Sequence, residues 1–193
     1  MRLLLMGAPG SGKGTQATAI SKRYGIPAIS TGNMFRAAVA SGTALGHQVS
    51  ELLAAGLLVP DVVTDQVVAE RLVEPDAVDG WLLDGYPRTL GQVSALQACM
   101  AHHGVALDGV LAIIVPTEEL LKRLLLRADI EDRADDTAET ITRRLAVYHE
   151  QTEPVIEQYA ASGFVVRVDG VGSVAEVATR IATVLDPLTE SAV

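Results

Sequence analysis

The segment Gly7-Ala8-Pro9-Gly10-Ser11-Gly12-Lys13-Gly14-Thr15-Gln16 restricts this chain more than any other. It follows the apolar run Arg2–Met6, which reads as a buried strand. It precedes Lys13–Tyr24, which reads as a helix stopped by Gly25 and Pro27. The glycines let the backbone turn several N–H groups inward on one anion. The helix adds the positive end of its dipole, and Lys13 adds a full charge. A strand, such a loop and a helix, in that order, are what a phosphate-binding P-loop requires. A glycine-rich turn with a solvated lysine is the competing reading.

The rest of the chain alternates strands with helices. Extended segments are expected at Pro27–Ser30, Gly80–Asp84, Gly109–Val115 and Phe164–Val168. Helices are expected to open near Thr31 and at Pro60, and to cover Thr43–Gly56, Thr89–His103, Thr117 to about Arg127, and Val174–Leu185. A long helical pattern through Ile141, Leu145, Tyr148, Val155 and Tyr159 is expected to kink or break at Pro154. The tail after Pro187 reads as dispensable. The alternation implies a parallel sheet covered on both faces.

Composition narrows the function. The 193 residues suit a single domain over 1–193, and 49% hydrophobic content supplies a core. Fifteen Lys plus Arg against 24 Asp plus Glu give a net charge of −9, which argues against a non-specific nucleic-acid binder. No apolar run reaches the ~18 residues of a membrane span, and the opening run is too short for a secretory signal. A lone cysteine, Cys99, excludes an internal disulfide and a zinc site built on several thiolates, so a reducing cytoplasm is expected. His47, His102, His103 and His149 show no metal-ligand or triad spacing and read as surface or packing residues.

Where a P-loop usually carries Ser or Thr after its lysine, this chain has Gly14, with Thr15 one place later. The loop in this form resembles that of the adenylate kinase family of nucleoside monophosphate kinases. Four further segments extend the resemblance: Ile29-Ser30-Thr31-Gly32-Asn33-Met34-Phe35-Arg36, Gly56-Leu57-Leu58-Val59-Pro60-Asp61, Leu83-Asp84-Gly85-Tyr86-Pro87-Arg88 with Gln92 beyond, and Arg133-Ala134-Asp135-Asp136-Thr137 followed by Arg143-Arg144-Leu145 and Tyr148.

That resemblance implies a P-loop NTPase fold with a five-stranded parallel sheet, a helical acceptor-binding insertion over residues 30–59 and a short lid loop over 127–133. The implied reaction is reversible, Mg²⁺-dependent transfer of the terminal phosphoryl group of ATP to AMP, giving two ADP, in purine nucleotide homeostasis. No zinc and no partner beyond these nucleotides is implied, and a monomer is expected. The ATP side would use Gly10, Ser11, Gly12, Lys13, Gly14, Thr15, Arg127 and the Gly172 carbonyl, with Arg123 over the donor base. The AMP side would use Thr31, Arg36, Leu57, Leu58, Val59, Gly85, Tyr86, Pro87, Arg88, Gln92, Arg133 and Arg144. Catalysis would fall to Lys13, Arg88, Arg127, Arg133 and Arg144, because guanidinium forks bind phosphate oxygens in pairs. Asp84, ending an apolar strand, would reach Mg²⁺ through water. Asn33 departs from the acid usual there, which keeps a polar acceptor beside the metal and removes its charge.

A UMP/CMP kinase of the same fold is the alternative. Those relatives tend to carry a small residue where this chain has Thr31. A GTP-binding switch would need an [NT]KxD segment, and none of Lys13, Lys22 and Lys122 lies in one.

Overall fold

Alternation along the first strand builds both layers of the core. In β1 (Arg2–Met6), Leu3 and Leu5 join the hydrophobic cluster on one face of the sheet, and Leu4 and Met6 join the cluster on the other. The computed structural model describes residues 1–131 and 137–190. Its remaining strands are β2 (Ala28–Ser30), β3 (Trp81–Asp84), β4 (Gly109–Ile114) and β5 (Val165–Asp169). They form one sheet in the order β2-β3-β1-β4-β5, and every pairing is parallel. The chain goes to one side of β1 for β2 and β3 and to the other for β4 and β5. The carboxyl end of β1 is therefore where the winding reverses and where a crevice opens.

The helices are α1 (Lys13–Tyr24), α2 (Thr31–Ala40), α3 (Ala44–Ala54), α4 (Asp61–Leu72), α5 (Leu90–His102), α6 (Thr117–Glu131), α7 (Ala138–Val147), α8 (Glu153–Ala161) and α9 (Val174–Glu190). α1 and α9 cover the Leu3/Leu5 face with Ala17, Ile20, Val177, Ile181 and Leu185. α4 to α8 cover the other face, where Val68, Val93, Leu96, Leu124, Ile141 and Val155 pack on Leu4 and Leu83. Each such leucine taken wholly out of water contributes about 1.5–3 kcal/mol. Between β2 and β3, α2 and α3 enclose a smaller core of their own, built on Phe35, Val49 and Val59.

Thr43, Thr89 and Thr137 cap α3, α5 and α7, each hydroxyl accepting the N–H three residues on. Pro154 interrupts the helix as expected, whereas Pro187 does not end one. Pro154 produces a widened π turn over Tyr148–Thr152 that joins α7 to α8. At the start of α8 the missing N–H costs little, so the path continues. α9 runs past Leu185 through Pro187 to Glu190, and the Leu188 side chain reaches over Gly109. The short lid expected at 127–133 extends beyond Glu131 into residues outside the described ones. No helix among the described residues is long and apolar enough to cross a membrane.

Candidate active site

The glycine-rich loop leaves the carboxyl end of β1 and enters α1 with no side chain capping the helix. Its first-turn N–H groups are left to point along the axis toward whatever lies beyond. Gly10 has φ +83°, and a Cβ there would lie 2.8 Å from the Leu124 side chain of α6, so only glycine fits the loop against that helix. The loop borders a cleft of about 680 Å³, lined by Gly10, Gly12, Lys13, Gly14 and Thr15 and, opposite, by Asp84, Arg123, Arg127 and Tyr148. Ser11 is buried instead, and among the described residues its hydroxyl has no hydrogen-bond partner.

A smaller pocket of about 70 Å³ adjoins the cleft. Thr31, Leu57, Leu58, Val59, Gly85 and Gln92 line it. Arg36, Arg88 and Arg144 line both compartments. The structure therefore brings the two expected groups of residues into one continuous recess. Tyr86 and Pro87 border the cleft; Gly172 borders neither compartment. Arg133 lies outside the described residues. All four histidines are exposed.

Cations dominate the recess. Burial pushes the Lys13 ammonium down to about 8, with Arg88, Arg144 and Arg127 adding to the push and Asp84 opposing it. Its Nζ donates to the carbonyls of Gly7 at 2.7 Å and Ala8 at 2.8 Å, folding back on its own loop. Burial likewise holds the Arg88 guanidinium below its usual range, with Arg144 and Arg36 acting in the same direction against Asp84. Such a cluster gains most from a multivalent anion. Phosphates arriving at Lys13 raise its pKa again, so nucleotide binding is expected to take up protons between about pH 8 and 9. At pH 6.5 the lysine is already charged and contributes no uptake. Calorimetry in buffers of different ionisation enthalpy checks this, and equal heats in all buffers at pH 8.5 would contradict it.

The Thr31 hydroxyl donates to the Gly85 carbonyl at 2.9 Å, keeping its lone pairs for a ligand. Arg88 Nε donates to the same carbonyl at 2.7 Å. Gly85 has φ +81°, and a Cβ there would lie 2.7 Å from an Arg88 terminal nitrogen, so the bend and the arginine's seat depend on glycine. Arg36 donates to Asn33 Oδ1 at 2.7 Å. Asn33, expected beside a metal, faces the arginine in this structure. Arg123, expected over a base, pairs with Glu119 at 2.8 Å and donates to the Gly170 carbonyl at 3.1 Å.

Sequence reasoning missed the supports beneath these groups. The Tyr86 hydroxyl donates to Asp65 at 2.7 Å, and burial raises that carboxyl's pKa. Thr152, in the π turn, donates to the Arg88 carbonyl at 3.1 Å. Asp61 accepts from both Thr89 and Gln92. Asp61 ends the Gly56–Asp61 segment, but only the packing of α4 on α5 brings it to them.

The donor set fits a hydrated divalent cation rather than a protein cage. Asp84 is 8% exposed, lines the cleft, and accepts no hydrogen bond among the described residues. No group of three His, Cys, Asp or Glu side chains among those residues could hold a metal. One buried, unpartnered carboxylate facing a phosphate loop suits an ion carried mainly by phosphates and water.

A parallel sheet in this order, with a lysine-bearing glycine loop at its switch point, defines a P-loop nucleotide-binding protein. The family model described as adenylate kinase matches residues 5–164. An adenylate kinase of Micrococcus luteus is 53% identical over 180 residues, covering 93% of this chain and 88% of the relative. One from a Nocardioides species is 51% identical over 191 residues, covering 99% and 100%. One from Thermobifida fusca is 46% identical over 185 residues, covering 96% and 98%. The chain belongs to the adenylate kinase family.

Proposed function

We propose that the cleft and the pocket are the donor and acceptor halves of one site, in which Mg²⁺-dependent phosphoryl transfer from ATP to AMP yields two ADP, reversibly. Family membership supports phosphotransfer to AMP. The observation that carries the assignment of halves is the set Arg36, Arg88 and Arg144, which lines both compartments. Two phosphate chains meeting end to end need cations on both at the point of transfer.

In this reading the backbone N–H groups from Gly10 to Thr15, with Ser11 supporting from beneath, cradle the donor's phosphates. Lys13 leaves the Gly7 and Ala8 carbonyls to bind them. Arg127 reaches the donor from the lid side, and Arg133 joins the arginines on the acceptor phosphate. Arg36 holds the acceptor phosphate. Arg88 and Arg144 follow the phosphoryl group between the two. Mg²⁺, when bound with ATP, neutralises charge on the phosphate oxygens. Asp84 would hold its water shell. The acceptor is a phosphate with a second pKa near ~6, already a dianion at neutral pH. No general base is needed, and catalysis rests on alignment and charge neutralisation.

The acceptor base would lie among Thr31, Gln92, Gly85 and the backbone of Leu57, Leu58 and Val59, with Tyr86 and Pro87 shaping the approach. The donor base would lie toward Gly172. Residues 30–59 then form the acceptor-binding insertion of a single domain over 1–193, and 127–133 the short lid that excludes water from the donor. A monomer working on free ATP, AMP and ADP in the cytoplasm completes the proposal. The half-buried, lone Cys99 fits that compartment.

Acceptor selectivity tests the reading. With ATP–Mg²⁺ as donor in a coupled assay, AMP is expected to exceed CMP and UMP in kcat/KM by at least ~10-fold, because a site with polar groups left unpaired rejects the wrong base. Equal turnover of CMP and AMP would reassign the pocket to pyrimidines.

A further inference from the structure

Gln92 is 2% exposed, yet it lines the pocket, and both ends of its amide are already engaged. Its Nε2 donates to Asp61 Oδ1 at 2.8 Å, and its Oε1 accepts the Arg88 backbone N–H at 2.7 Å. The other Asp61 oxygen accepts from the Thr89 hydroxyl at 2.7 Å. That hydroxyl in turn receives the Gln92 backbone N–H at 3.1 Å, as the cap of α5. One turn along α4, Asp65 holds the Tyr86 hydroxyl, which also reaches the Gln92 carbonyl at 3.3 Å. α4 thus grips the start of α5 and the loop before it with two carboxylates.

An ionised carboxylate only accepts, and a backbone N–H only donates. Between them they leave the Gln92 amide one orientation. After these two bonds it retains one N–H and one carbonyl lone pair, in a fixed order. An adenine edge offers an acceptor at N1 beside a donor at N6, and a 6-oxopurine edge offers the reverse pair. A locked amide matches one of these edges, and a freely turning amide matches either.

We propose that Asp61 is a positioning residue that sets the purine preference of the acceptor pocket, by fixing the direction in which Gln92 presents its amide. This rests on the reading of Gln92 as a base contact. Asp61 need not touch the nucleotide; it acts through Gln92 and, by way of the Arg88 backbone, keeps the base contact in register with the phosphate contact.

The test compares AMP with IMP as acceptors in the full-length protein, as kcat/KM or, where turnover is slow, as Ki against AMP. Asp61→Ala removes the acceptor, and the AMP:IMP ratio is expected to fall by ~10-fold or more, with the KM for ATP unchanged. Asp61→Asn keeps the volume but can turn either end toward Gln92, so a fall of about 3-fold to 5-fold is expected, within the same physical limit. It carries the test if the alanine variant does not fold. Gln92→Met separates the two levels of the argument. An unchanged ratio in Gln92→Met would overturn the base contact itself. A ratio lost in Gln92→Met but kept in whichever Asp61 variant folds would overturn the positioning role alone. Parallel losses for AMP, IMP and ATP would reduce Asp61 to a structural support.

Discussion

Arg88→Ala is expected to lower kcat by on the order of 10² or more, the loss typical when a preorganised charge donor is removed from a transition state. The geometry gives the reason. Nε is tied to the Gly85 carbonyl at 2.7 Å, and among the described residues the two terminal nitrogens make no hydrogen bond. The fork is held at its root and open at its tip, where the two compartments join. Burial and the nearby Arg144 and Arg36 charges disfavour the guanidinium in the ligand-free protein. Removing it is therefore expected to leave the melting temperature unchanged or raise it. A fall in kcat with kcat/KM falling equally would mark an interaction made in the transition state. A variant altered only in KM for AMP would show that Arg88 holds the ground state and nothing more.

Lys13→Met is expected to cost more, on the order of 10³ in kcat/KM, the upper end for a single electrostatic donor. Methionine keeps an unbranched apolar stem only one atom shorter than lysine, so the loop is expected to keep its packing while losing the charge. Among the described residues, the ammonium donates to the Gly7 and Ala8 carbonyls. A bond from the ammonium to phosphate is charge-assisted and stronger than those to neutral carbonyls. With its pKa depressed to about 8 by burial, the lysine is a strained cation until an anion arrives. The fold is expected to tolerate the substitution, and steady-state kinetics with ATP varied checks the effect. Activity within threefold of wild type would remove Lys13 from the phosphate site.

Much of this was legible in the sequence because local rules govern it. The continuous apolar run of β1 and the glycine loop that leads into α1 each depend on a few neighbouring residues. What lies far apart in sequence was not legible. The order β2-β3-β1-β4-β5 follows from which helices cover which face, and no single segment carries it. Pro154 reads as a kink or break and the α-helix is interrupted there, but the π turn that does so, and the bond from its Thr152 to the Arg88 carbonyl, depend on packing with distant residues. Gln92 reads as a base contact, but the packing of α4 on α5 is what supplies Asp61 to one end of its amide, while the Arg88 backbone N–H holds the other. Asn33 lines the cleft together with Asp84, and its Oδ1 accepts from Arg36, a contact the reading of it beside a metal did not include.

The division of the recess into two nucleotide sites is the central claim, and separate titrations of AMP and ATP into ¹⁵N-labelled protein test it most directly. At substoichiometric ligand, AMP is expected to shift the amides of Thr31, Val59, Gly85 and Gln92 while leaving Gly12 and Gly14 in place; ATP is expected to do the reverse. If both nucleotides move the same set of amides, or if AMP acts first on the glycine loop, the assignment of donor and acceptor halves is wrong.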